Sequence, residues 1–81
     1  MTKKFKSKGD AIRKLKMENW SLILKIPFRN KKTKRTETID IIYDSGTGYY
    51  YTFYGLKLIG RRTNQLSAIT LGESLAKIKE R

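Results

Sequence analysis

Two segments of this chain alternate with a period of two and a third is dense in β-forming residues, a pattern that fits the pleat of a β-sheet far better than the turn of a helix. In "WSLILKIPF", residues 20–28, Trp20, Leu22, Leu24, Ile26 and Phe28 alternate with Ser21, Ile23, Lys25 and Pro27. In "TETIDIIY", 36–43, Ile39, Ile41 and Tyr43 stand against Thr38, Asp40 and Ile42. "YYYTFY", 49–54, consists of aromatic and β-branched residues that suit a pleated surface. Polar stretches at 30–35 and 44–48 separate the three, which predicts an antiparallel meander.

Directly opposed residues of an antiparallel pair share a face, so the three patterns constrain one another. With 44–48 as a five-residue loop, Tyr43 faces Tyr49, Ile41 faces Tyr51 and Ile39 faces Phe53. With 30–35 as the loop of the first hairpin, Phe28 faces Glu37, Ile26 faces Ile39, Leu24 faces Ile41 and Leu22 faces Tyr43, while Lys25 meets Asp40 on the reverse side. The expectation is an inner face holding Tyr49, Tyr51 and Phe53, with Tyr50, Thr52 and Tyr54 on an outer face. A loop changed by one residue would exchange the two sets. Pro27 has no N–H for a ladder, which assigns the first strand to an edge.

Beyond Tyr54, residues 56–59 either continue the third strand through a bulge at Gly55 or make a short fourth strand, and Arg61 and Arg62 fall in the loop that follows. "TLGESLAKIKER" has Thr70 and Glu73 at capping-box spacing and Leu71, Leu75 and Ile78 at helical intervals, which predicts a C-terminal helix with these three on the sheet. "SKGDAIRKLKMEN" offers Ser7 or Asp10 as a cap, with Ile12 and Leu15 as a narrow apolar side. The fold class is α+β: a three- or four-stranded antiparallel β-meander, a C-terminal helix packed on one face and a short N-terminal helix. Residues 1–8 read as a basic flexible arm and 9–81 as a single small domain.

A chain of 81 residues buries only about 60% of its unfolded surface and has little room for a deep cleft. The absence of Cys and His rules out thiolate nucleophiles, Cys/His zinc sites, imidazole bases and disulfides. "GTG" at 46–48 belongs to a hairpin and lacks the lysine of a phosphate loop. Asp40 and Asp44 have the spacing to share a strand face, as a magnesium site would need, but Asp44 reads better as a turn residue. The expectation is a non-enzymatic protein without metal or cofactor. The longest N-terminal apolar stretch, 20–24, is broken by Ser21 and ends at Lys25, so neither a secretory signal nor a membrane span is expected and the location read is cytoplasmic.

Charge supplies the functional direction. The formal net charge is +12, and the residues up to Arg35 hold thirteen of the basic side chains against Asp10 and Glu18 alone, a local balance of +11. A field of that sign on so small a body favours a polyanion, and nucleic acid is the expected partner, DNA ahead of RNA. The candidate phosphate contacts are Lys3, Lys4, Lys6 and Lys8 of the arm, Arg13, the tip residues Arg29, Lys31, Lys32, Lys34 and Arg35, and Arg61 and Arg62. Tyr50 and Tyr54 are the candidate base-stacking residues. The tip and the Arg61–Arg62 loop share one end of the sheet if the third strand runs unbroken to Ile59.

The layout resembles, at the level of architecture, the arm-binding domains of tyrosine recombinases and the AP2-type domains of plants, which lay a sheet into the major groove. No diagnostic motif of either is present, and the RNA-recognition-motif consensus is absent. The Lys-rich single-domain character is similar to that of phage or plasmid accessory proteins. The competing reading is a small inhibitor or adaptor that docks on an acidic protein by its sheet edge. An exposed first strand is also open to homodimer pairing, with Pro27 and Lys25 opposing a continuous sheet there.

Overall fold

A computed structural model describes residues 3–81. Its elements in chain order are β1 (Lys3–Lys4), α1 (Lys8–Leu15), β2 (Trp20–Asn30), β3 (Arg35–Asp44), β4 (Tyr49–Tyr54), β5 (Lys57–Arg62) and α2 (Gln65–Glu80). The strands form one antiparallel sheet in the order β1-β5-β4-β3-β2, so the fold is α+β with a meander at its centre. β2 is an edge strand, as Pro27 requires.

The number of strands exceeds the expectation at both ends of the meander. After Tyr54 the chain turns through Gly55 and Leu56 and returns as β5, with Gly55 at φ +62 supplying the left-handed conformation that a two-residue hairpin needs. Arg61 and Arg62 therefore lie in a strand and not in a loop. The segment read as a flexible arm is part of the domain from Lys3 onward. Lys3 and Lys4 pair with Leu58 and Lys57, the Phe5 N–H donates to the Leu56 carbonyl at 3.0 Å, and Phe5 is buried. One apolar side chain in an otherwise basic run is enough to anchor it. The first two residues of that arm lie outside the described residues.

The first hairpin has the expected register from Phe28 to Leu24, including Lys25 opposite Asp40 with their charges 3.8 Å apart, and pairing continues to Asn30 and Arg35, both expected in the loop. A bulge at Ile23 then shifts it, so Leu22 meets Ile42 where Tyr43 was expected. The second hairpin is offset by one residue throughout. Its loop has four residues, 45–48, which sets Asp44 opposite Tyr49, Tyr43 opposite Tyr50 and Ile39 opposite Tyr54. The cause is local to Asp44. Its fully buried carboxylate accepts the Asn19 N–H at 2.8 Å and the Thr47 N–H at 2.7 Å, and its carbonyl accepts the Gly48 N–H at 2.8 Å with Gly48 at φ +76. This tight closure leaves no fifth loop residue, and Asp44, read from sequence as a turn residue, is the last residue of β3 and closes the turn with both carboxylate oxygens engaged.

Both faces of the sheet are covered. Under α2 lie Phe28, Ile39 and Ile41 with Ala68 and Ala76, and Ile26, Tyr50, Tyr54, Ile69 and Leu75 pack around them. On the other face α1 and its flanks bring Phe5, Ala11 and Met17 onto Ile42, Tyr51 and Phe53. Tyr51 and Phe53 are core, as expected, but they face α1, and the outer face foreseen for Tyr50, Thr52 and Tyr54 is the one α2 covers.

The helices differ in detail from their sequence signals. α2 starts at Gln65, capped by the Asn64 side chain accepting the Ser67 N–H at 3.1 Å, and the Thr70–Glu73 box lies within it. Its sheet-facing stripe is Ala68, Gly72 and Ala76, while Ile78 is exposed. Small residues four apart bring the helix close to the strands. A Cβ at Gly72 would meet Ile26, Ile39 and Ile41 at 3.1 to 3.3 Å. α1 is capped by Ser7, whose hydroxyl accepts the Asp10 N–H at 3.1 Å, and Lys16 closes it in the left-handed region at φ 56.

Candidate nucleic-acid interface

The tip of the β2–β3 hairpin is a built structure. Asn30, which is buried, uses its side-chain oxygen to accept the N–H groups of Lys32 at 2.9 Å and Thr33 at 3.3 Å. The Lys34 N–H donates to the Asn30 carbonyl at 2.7 Å. Such an Asx-type turn competes well with solvent because a short amide reaches its own following backbone without strain. The other end of the Asn30 amide donates to the Glu37 carboxylate at 2.9 Å, and Tyr54 donates its hydroxyl to the same carboxylate. These bonds hold the Glu37 carboxyl below its ordinary value, the Tyr54 hydroxyl contributing most and the Asn30 amide next. The Tyr54 hydroxyl is pushed up, chiefly by the same bond to Glu37.

On this frame Lys31, Lys32, Lys34 and Arg35 are exposed, with Arg29 one strand position behind. Lys34 adopts φ 61, a left-handed conformation in which a lysine is unusual and a glycine would be at ease.

α2 ends against this tip. The Lys31 N–H donates to the Lys79 carbonyl at 3.0 Å, and the Lys79 ammonium lies 4.7 Å from the centre of the Tyr54 ring. The last turn of α2 and the Arg81 that caps it thus bring Lys77, Lys79 and Arg81 to the same end as the basic tip, none of them singled out in the sequence. Their signal, the basic residues of "KIKER", is also that of an ordinary helix C-terminus, and only the docking direction of α2 gives it meaning. With Glu37 and Glu80 as the acidic residues of this end, eight basic side chains face two acidic ones.

The other expected contacts are dispersed. Lys3 and Lys4 lie on β1, at the sheet edge opposite β2. Lys6, Lys8 and Arg13 surround α1, where Asp10 accepts the Lys6 N–H at 3.2 Å and an Arg13 bond at 3.3 Å and lies 3.6 Å from the Lys14 ammonium. The Asp10 carboxyl is lowered, first by the Lys6 N–H and, against an opposing desolvation, by Lys14 and Arg13. Lys8 stands over the Trp20 ring at 5.3 Å.

Arg61 and Arg62 sit beside Tyr51 and Tyr50, at the end of the sheet away from the tip, because β5 runs back on its own instead of prolonging β4. Arg61 covers the Tyr49 ring at 4.2 Å. Tyr50 and Tyr54 are half-buried under α2, Tyr50 against Tyr43 at 4.6 Å and Tyr54 against Phe28 at 6.0 Å, so they present no open platform for bases. Comparison with protein families, curated proteins and solved structures found no match to this chain. No described helix is long and apolar enough to cross a membrane.

Proposed function

We propose that this is a non-enzymatic nucleic-acid-binding protein that presents the β2–β3 tip and the end of α2 to duplex DNA. The observation that carries the reading is the Lys31–Lys79 backbone bond, which joins two basic segments separated by more than forty residues into one surface. A two-stranded ribbon fits the major groove of B-form DNA, and flanking lysines and arginines then reach phosphates. Covered tyrosines favour backbone contacts to a duplex over the stacking of single-stranded bases, a choice that the sequence alone left open.

The test is a fluorescence-anisotropy titration with labelled duplex DNA, single-stranded DNA and RNA at about 50 and 200 mM salt. Tighter binding to the duplex with a steep salt dependence is expected, and Ala at Lys31, Lys32, Lys34 and Arg35 should flatten the slope of log K against log salt by about 0.9 for each phosphate no longer neutralised. Weak, equal binding to all three that vanishes at the higher salt would reject the reading and turn the same basic surface toward an acidic protein partner.

A further inference from the structure

The edge strand β2 has two unlike halves. From Lys25 onward it is guarded by Lys25, Pro27 and Arg29, the kinds of residue that keep sheet edges from pairing. The opposite edge of the sheet, β1, presents Lys3 and Lys4. From Trp20 to Leu24 the only polar side chain is Ser21, and Trp20, Leu22, Ile23 and Leu24 are 37%, 44%, 38% and 38% exposed. The bulge at Ile23 is the one guard of this half.

The charges around that half are arranged with a direction. "ENWSLILK", residues 18–25, opens with exposed Glu18 in the turn just before β2 and closes with exposed Lys25, which lies 3.8 Å from Asp40 of its own chain, with no charge between them. Such a strand complements itself when paired antiparallel, since the acidic start of each copy falls beside the basic end of the other while the apolar residues meet in the middle. Parallel pairing sets like charges together, and a uniformly acidic foreign strand is repelled at Glu18. We infer that two copies of this chain pair antiparallel along Trp20–Leu24, about a two-fold axis normal to the sheet, to make one continuous ten-stranded sheet with isologous contacts. Pro27 lies outside the paired segment and does not interrupt it. This association is independent of nucleic-acid binding.

The test is the mass of the nucleic-acid-free protein by analytical ultracentrifugation, from about 10 µM to about 1 mM in about 0.3 M salt, since each copy carries +12. The 9.5 kDa monomer should move toward twice that mass with concentration. Ile23→Lys, at an exposed bulge outside both clusters, should abolish the shift while circular dichroism stays native. Leu66→Lys, on α2 at 71% exposure, should leave it intact. Glu18→Lys should weaken association about tenfold by facing the partner's Lys25 with a like charge. As the chain has no cysteine, Leu22→Cys, at the centre of the paired segment and so opposite its own copy, should cross-link under mild oxidation where Ser74→Cys does not. A monomer throughout, a dimer that survives Ile23→Lys, a Glu18→Lys variant as tight as the parent, or equal cross-linking of the two cysteine variants would each overturn the inference.

Discussion

Lys34 carries the clearest tension between stability and charge. Its φ of 61 places an L side chain where a glycine is relaxed, at the tip of a hairpin whose other bonds are well made. Lys34→Gly should therefore raise stability by about 1 kcal/mol in chemical denaturation, while removing one charge from the surface proposed to meet DNA and, on that proposal, weakening duplex binding. A gain in stability with unchanged affinity would reduce Lys34 to a solvated loop residue. The Glu37 and Asp10 carboxyls supply a pH signature. Both are lowered in the folded state, so their stabilisation is present above the ordinary carboxylate pKa and is lost as pH falls through the folded values. Thermal midpoints should accordingly fall below about pH 4. Tyr54→Phe removes the main cause of the Glu37 shift and should make that acid-side decline shallower, leaving the Asp10 part.

The elements pack through unequal faces, and α2 depends on having little side chain where it meets the sheet. Valine at Gly72 would drive branched carbons into Ile26, Ile39 and Ile41, already 3.1 to 3.3 Å from a Cβ there. The expected cost is about 2 to 3 kcal/mol, read as a fall in Tm of roughly 10 °C or more. For Gly72→Ala the helix gains about 1 kcal/mol of propensity against a smaller clash, so its Tm should stay near that of the parent. The sequence points to Leu71, Leu75 and Ile78 as the buried stripe because hydropathy ranks them above alanine and glycine. Close approach between helix and sheet puts Ala68, Gly72 and Ala76 at the centre of the contact, with Leu75 packed beside them and Leu71 against Gly60 of β5, and of the three foreseen only Ile78 is left out, 62% exposed.

At the scale of the whole molecule the basic residues divide by where the topology delivers them. β2 and β3 meet at the tip, α2 ends there, and β5 ends at the far side with Arg61 and Arg62. Replacing Lys77, Lys79 and Arg81 with Ser should lower duplex affinity and reduce the salt slope by about 0.9 for each phosphate that these side chains neutralise. The same change at Arg61 and Arg62 should leave that slope nearly unaltered. Equal effects from the two sets, measured by anisotropy over a salt series, would mean that the field of the whole body and not one end of it drives binding.

Local chemistry was legible in the sequence: the three central strands from their alternation and β-forming residues, the edge position of β2 from Pro27, the Lys25–Asp40 pairing from the first loop, α1 from its Ser7 cap and α2 from its apolar spacing, although its cap is Asn64 and not Thr70. What the pattern did not fix is which face each set of residues meets. A sheet covered on both sides is apolar on both, so hydropathy does not separate Tyr50 and Tyr54 from Tyr49 and Tyr51, and a difference of one loop residue at Asp44 and Gly48 decides it. The same holds for the basic surface. Charge density along the chain marks the tip, but the contribution of α2 depends on a bond between Lys31 and Lys79, which are distant in the chain and meet only once the helix has docked.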